Sequence, residues 1–188
     1  EQTPLIAARA IELLHSAGVP GEVLAFLPGD GAEIGGALVA SAGVSGIAFT
    51  GSTETARLIN RGLAARDGAL AALIAETGGL NAMLVDSSAL AEQVVADVVT
   101  SAFNSAGQRC SALRVLFLQA EIAAKVQRLL AGCMDELKIG DPALLATDIG
   151  PVIDAESQAR LEAHAAAIVR GAPWQHRMRL PPQTHPGY

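Results

Sequence analysis

The stretch Gly46-Ile47-Ala48-Phe49-Thr50-Gly51-Ser52, continued by Thr53 to Arg66 and then by Leu70-Ala71-Ala72-Leu73-Ile74-Ala75-Glu76, decides the fold class. Gly46 to Phe49 is a short apolar run of strand type. Ser52 stands where an N-cap is needed, and a helix follows to about Arg66. Leu70 to Ala75 is a second apolar run and reads as a buried strand. Strand, helix and strand at these lengths describe a β–α–β unit, whose two strands run parallel.

The same alternation extends in both directions. Upstream, Thr3 and Pro4 mark a helix start, and Leu5, Ala8, Ile11 and Leu14 continue an amphipathic helix that stops at Gly18. Val23 to Leu27 reads as a strand closed by Pro28-Gly29-Asp30-Gly31, with a helix over Ala32 to Ser41. Downstream, Ala82 to Val85 and Leu113 to Leu118 read as strands, with a helix from Ala89 to about Phe103 between them. Glu121 to Leu137 carries Ile122, Val126, Leu129, Leu130 and Cys133 on one helical stripe, which places Cys133 in a core. Glu156 to about Val169 is a further helix. The tail from Arg170 to Tyr188, with four prolines, reads as irregular. The class is α/β with a mostly parallel sheet.

Composition narrows the functions. The chain has 188 residues, 51% hydrophobic and 17% charged, enough to form a buried core rather than a disordered chain. Thirteen basic and 19 acidic residues give a net charge of −6, and the basic ones are scattered singly, so nucleic acid is not an expected partner. Trp174, Tyr188 and four Phe offer no stacking platform for bases. No run is apolar over the roughly 18 residues of a membrane span, and the start lacks a signal-peptide pattern. A soluble, cytoplasmic protein is expected. Cys110 and Cys133 make neither a disulfide framework nor a zinc site with the four histidines, which suits a reducing compartment and leaves no metal expected.

Four constellations have chemical potential. Gly29, Asp30, Gly31 and Gly35 lead into a helix, a setting for anion binding, although their spacing is not the dinucleotide fingerprint and a plain structural turn is the favoured reading. Thr50, Gly51 and Ser52 leave a strand and enter a helix, so first-turn N–H groups and the Ser52 hydroxyl could hold a diphosphate; an ordinary Ser N-cap is the alternative. Glu76 closes an apolar run and precedes Thr77-Gly78-Gly79. Partial desolvation there would suit a general base, whereas a solvated strand-end carboxylate would be inert. Cys110, in Gly107-Gln108-Arg109-Cys110-Ser111, lies in a loop where the Arg109 charge would favour the thiolate; a buried bystander thiol is the alternative. No histidine is well placed to serve as its base, which disfavours a Cys-His hydrolase.

Phe49-Thr50-Gly51-Ser52, Glu76-Thr77-Gly78-Gly79 and Gly107-Gln108-Arg109-Cys110 resemble, in order and spacing, the motifs of the aldehyde dehydrogenase superfamily. The 34 residues from Glu76 to Cys110 match as well. Within it the chain is most similar to the L-glutamate γ-semialdehyde (1-pyrroline-5-carboxylate) dehydrogenase branch, in particular the module found in the bifunctional bacterial enzymes of proline breakdown. FTGSTETARLINRGLA from Phe49, ETGGLNAMLVDSSAL from Glu76, AFNSAGQRCSALRVL from Ala102 and IGDPALLATDIGPVID from Ile139 carry this likeness.

The resemblance implies Rossmann-like parallel sheet layers, with residues 1–76 the C-terminal part of a NAD-binding domain and 77–188 the N-terminal part of a catalytic cysteine domain. It implies NAD as the cofactor and a small aldehyde as substrate. Cys110 would be the nucleophile, with its N–H helping to hold the oxyanion, and Glu76 would activate the water that hydrolyses a thioester. Glu1 would meet the adenosine ribose, Ser52 the diphosphate, Thr50 and Gly51 the nicotinamide half, and Thr77 and Gly78 would line that end. Asn104 and Ser111 would flank the thiol near the substrate.

Departures from the pattern are also expected to matter. The family's oxyanion Asn and cofactor Lys fall upstream of Glu1, and its second cofactor Glu and substrate-carboxylate loop fall downstream of Tyr188, so the chain reads as cut at both ends. Leu80 stands where Gln is common. The remainder of a dehydrogenase module is therefore an expected partner, and exposed sheet edges would favour homo-oligomers or aggregation. Two other readings stand beside the dehydrogenase. One is a folded nucleotide-binding or interaction module without turnover; the other is a cysteine-dependent acyl-transfer or hydrolytic enzyme, which leaves the Ser52 turn unexplained.

Overall fold

A computed structural model describes residues 2–172 and 175–178. The chain forms two compact units, Glu1–Thr77 and Gly78–Tyr188.

In the first unit, helix α1 (Pro4–Ser16) begins with Pro4 in the first turn, but the Thr3 side chain makes no capping bond. Gly18, at φ +100°, lets the chain turn after α1. The expected strand over Val23 to Leu27 is not formed. A strand needs a ladder partner; none pairs with these residues among those described, and Val23 and Leu27 are exposed. The expected helix over Ala32 to Ser41 is a π-helical turn, Gly31–Gly35, running into the short helix α2 (Gly36–Ala40).

Strand β1 (Gly46–Gly51), helix α3 (Thr53–Ala64) and strand β2 (Ala72–Thr77) form the β–α–β unit. The strands pair in parallel from Gly46↔Ala72 to Gly51↔Thr77. On α3, Ala56, Ile59, Gly62 and Leu63 are the covered positions, a 3.6-residue stripe. A Cβ on Gly62 would come within 2.5 Å of Val39 Cγ1, so the missing side chain is what lets α2 approach. Arg66, just past α3, donates from Nη2 to the carbonyls of Ala42 (3.3 Å) and Val44 (3.0 Å), tying the helix end to the lead-in of β1. The stretch read as a buried strand at Leu70 to Ala75 is displaced and largely open: Ile74 is 64% exposed and Leu70 precedes the strand. A parallel sheet is buried on both faces only when layers cover both, and helices of this unit do not do so.

In the second unit, β3 (Asn81–Val85), α4 (Ala91–Phe103) and β4 (Leu113–Leu118) repeat the arrangement, followed by α5 (Ala120–Glu136) and α6 (Ala155–Val169). Strands β3 and β4 pair in parallel, with a register slip between Asn81 and Ala82. Val85, Ala91, Val94, Val95, Val98, Leu113, Ile122 and Val126 form the core, and Met83, Leu116, Leu118 and Cys133 pack on it. Cys133 is thus a core-packing residue, as its stripe predicted. The alternation along β3 and β4 turns Leu84 and Phe117 to the opposite, open face, 80% and 57% exposed. No helix among the described residues is long and apolar enough to cross a membrane. Of the tail, Pro173, Trp174 and residues 179–188 lie outside the described residues.

Candidate active site

One cluster lies in the first unit, at the C-terminal ends of β1 and β2. The register pairs Thr50 with Glu76 and Gly51 with Thr77, so residues 26 positions apart become neighbours on adjacent strands. Registered partners share a face of the sheet, which puts Thr50 and Glu76 on one side. The Phe49 ring lies over Gly51, where an added Cβ would collide with it. Ser52 follows directly as the N-cap of α3: its Oγ accepts from the Thr55 N–H at 3.0 Å and is hydrogen-bonded to Thr55 Oγ1 at 2.9 Å. Its carbonyl accepts from Ala56 N–H at 3.0 Å. The Thr53 and Glu54 N–H groups, at the positive end of the helix, have no helical acceptor and remain open to an anion.

Glu76 is exposed, so the desolvation expected of a carboxylate closing a buried strand is not present; the strand it closes has an open face. Helix-start N–H groups are also available or occupied in an informative way at Gly31. There the Asp30 carboxylate accepts from Ala32 N–H (2.8 Å) and Glu33 N–H (3.2 Å), so the protein supplies its own anion. The Gly29 to Gly35 segment is a capped structural turn. Glu1 lies outside the described residues. Gly78, exposed and outside regular structure, opens the second unit.

The other cluster is the Cys110 turn. Asn104 ends α4, and Ser105, Ala106 and Gly107 all take left-handed φ values of 57°, 53° and 67°. For Ser and Ala this conformation is strained by about 1–3 kcal/mol each, and bonds around the turn hold it. Gln108 Nε2 donates to the Ser105 carbonyl (3.1 Å) and Arg114 Nη2 to the Gly107 carbonyl (2.6 Å). Gly107 is buried, and a Cβ there would meet the Ala102 carbonyl oxygen at 2.7 Å, so only glycine fits. Arg109 to Ala112 then make a four-residue turn closed by Ala112 N–H donating to the Arg109 carbonyl at 3.1 Å. Cys110 and Ser111 are its two central residues, both exposed. The bystander reading of a buried thiol is thereby corrected. The Arg109 guanidinium donates to the Thr100 carbonyl at 3.0 Å, which anchors it to α4.

Residue-type reasoning missed three side chains that shape this turn. Asn81 Nδ2 donates to the carbonyls of Cys110 (2.7 Å) and Ala112 (3.0 Å). Gln108 reaches 43 to 45 residues ahead, donating to the Pro151 carbonyl (3.4 Å) and accepting from Ile153 N–H (2.8 Å). Arg114 also donates to the Arg109 carbonyl at 3.4 Å. Asn81 lies in the quoted stretch from Glu76 and Arg114 in that from Ala102, while Gln108 also belongs to the Gly107-Gln108-Arg109-Cys110 motif, but residue type alone gives none of them a role. Both cysteines are free thiols, and among the described residues no group of three His, Cys, Asp or Glu is placed to hold a metal ion.

Each unit thus presents one of the two clusters, and both lie in stretches that resemble the motifs of one family. The aldehyde dehydrogenase family model matches residues 1–183, and the chain belongs to that family. Among particular relatives, it is 58% identical over 167 residues to the bifunctional protein PutA of Escherichia coli (strain K12), covering 87% of this chain and 13% of that protein. A crystal structure of a mutant Proline Utilization A (PutA) from Bradyrhizobium japonicum superposes with a TM-score of 0.92 at 55% identity, covering 96% of this chain and 19% of that one. The 1-pyrroline-5-carboxylate dehydrogenase of Thermus, solved with bound NAD, gives a TM-score of 0.81 at 32% identity over 87% of this chain and 32% of its own. The chain thus spans less than a third of each of these relatives.

Proposed function

We propose that this chain carries part of the machinery for NAD-dependent oxidation of L-glutamate γ-semialdehyde to L-glutamate in proline breakdown, in a reducing, cytoplasmic setting. The supporting observation is the β1–β2 register, which sets Glu76 beside Thr50 and Thr77 beside Gly51 where α3 begins. Family membership and the likeness to a NAD-bound 1-pyrroline-5-carboxylate dehydrogenase support the same reading.

In this reading residues 1–76 belong to the cofactor-binding domain and 77–188 to the cysteine domain. The open N–H groups at the start of α3 suit a diphosphate, with Ser52, Thr50 and Gly51 as holders and Thr77, Gly78 and Glu1 completing the set. Bound there, NAD supplies a hydride acceptor. The Cys110 thiolate attacks the aldehyde carbon, and its N–H donates to the oxygen that gains charge. Once the aldehyde carbon has been oxidised, the acyl group rests on Cys110 as a thioester. Glu76 takes a proton from the water that cleaves it, releasing carboxylate and thiol. Asn104 and Ser111 flank the thiol and contact the substrate.

Calorimetry at millimolar NAD, with NADH formation from glutamate semialdehyde followed on the same sample, tests the reading. Turnover lost in Cys110→Ala, and stalled at the acyl stage in Glu76→Gln, is the expected result. Binding without turnover would identify a cofactor-holding module, and ester cleavage indifferent to NAD a hydrolase.

A further inference from the structure

Cys110 sits between two peptide planes, and each is held by a bond from outside it. The plane joining Arg109 to Cys110 is fixed through the Arg109 carbonyl, which accepts from Ala112 N–H and from Arg114. The plane joining Cys110 to Ser111 is fixed through the Cys110 carbonyl, which accepts from Asn81 Nδ2 at 2.7 Å. A peptide unit is rigid and planar, so pinning its oxygen also sets its N–H. Pinning both planes sets φ and ψ of Cys110, and with them the directions of its Cα–Cβ bond and of the Cys110 N–H.

The clamp on the second plane comes from a distant place. Asn81 is the first residue of β3, and the register slips immediately after it, between Asn81 and Ala82. At that slip the side chain reaches across to the turn and bridges the carbonyls of Cys110 and Ala112. Both partners are acceptors, so the amide must present its nitrogen, and both of its hydrogens are engaged. A carboxylate or an apolar isostere has no such donors.

We propose that Asn81 is a positioning residue for Cys110: it holds the peptide after the thiol so that the Cβ that carries the thiol and the Cys110 N–H are presented together to the reacting carbon and oxygen. This rests on the reading of Cys110 as nucleophile. Loosening the turn then lowers kcat rather than weakening substrate or cofactor binding, since neither contacts Asn81 in this scheme.

The test uses the whole chain with Asn81→Leu, which keeps the γ-branched shape in a larger side chain without donors, and Asn81→Asp, which preserves shape and size without donors at neutral pH. Amide hydrogen exchange followed by mass spectrometry compares peptides covering 104–115 with those covering 120–136. The expected result in at least one variant is roughly 10-fold faster exchange confined to 104–115. Unchanged exchange there, or equal acceleration in both regions for both variants, would overturn the proposal. Where NADH formation is measurable, kcat should fall about 10- to 100-fold with KM within about twofold; a rise in KM alone would also overturn it. Unimpaired NADH formation by Cys110→Ala would instead sink the nucleophile assignment, while the exchange data would still decide whether Asn81 holds the turn.

Discussion

The two units organise their candidate residues by different physical means. Between Gly78 and Tyr188, Val85, Val94, Val95, Val98, Leu113, Ile122 and Val126 close into a core, and the Cys110 turn stands on it through Leu113 and Ala112. Between Glu1 and Thr77, Ala56 is the one buried apolar residue among those described. Yet the first unit still brings Thr50 to Glu76. Parallel pairing is a backbone property, and one crossover helix suffices to set its register. A turn of three left-handed residues has no such repeating support and needs both a core beneath it and side-chain clamps around it. Ladder register survives sparse packing, whereas irregular geometry depends on specific side chains.

The strongest way to break this contrast is Val126→Asp, since Val126 is 0% exposed. An unpaired carboxylate there should cost upwards of about 3 kcal/mol. Urea titration followed by circular dichroism should show the second unit lost, with hydrogen exchange over residues 46–77 little altered. Equal loss in both regions would mean that the first unit depends on the second's core.

Next in size is a pair of glycine substitutions that separates turn geometry from helix propensity. Gly107→Ala meets a φ of +67° and the Ala102 carbonyl, and should destabilise by about 1–3 kcal/mol. Gly132→Ala, mid-helix in α5 with open space at its Cβ, should stabilise by about 0.5–1 kcal/mol. Urea midpoints for the two should therefore move in opposite directions.

In the first unit Ser52→Ala removes the α3 cap and should cost about 1 kcal/mol. Faster exchange across residues 53–64, with 91–136 unchanged, would sharpen the comparison; no local change would show that the β1–β2 ladder alone sets this corner.

The smallest effect concerns the exposed Glu92–Lys125 pair, 2.9 Å apart, which links α4 to α5. The hydrogen bond from Lys125 holds the Glu92 carboxyl below its ordinary value. A depressed carboxyl contributes stability that is present above its unfolded value and lost as pH falls through the lower folded value. An NMR titration should place Glu92 below ordinary glutamates, and Lys125→Ala should raise it part of the way back, since a backbone hydrogen bond also lowers it. At this exposed position salt should weaken the effect.

Much of the fold was legible because it is local. Ser52 as a helix cap predicts α3, and the short apolar run Ala82 to Val85 reads as a strand whatever its neighbours. The failures also have local causes. Val23 to Leu27 has strand composition but no partner strand among the described residues, and Asp30 serves its own helix start rather than a ligand. Glu76 was readable as a candidate from its place in Glu76-Thr77-Gly78-Gly79, but its exposure was not, because burial depends on what covers a strand.

The amino-acid sequence by itself determined the β–α–β class through periodicity and caps and the family through short motifs, and it offered Ser52, Glu76 and Cys110 as candidates, because all of these are encoded within a few positions. Tertiary structure alone decided that Thr50 stands beside Glu76, that Leu84 and Phe117 face outward, and that Asn81, Arg114 and Gln108 hold the thiol turn. The longest of these contacts joins residues 45 apart. No local pattern specifies such pairs; they are selected by strand register and by the need to satisfy carbonyls at a turn that departs from regular pairing.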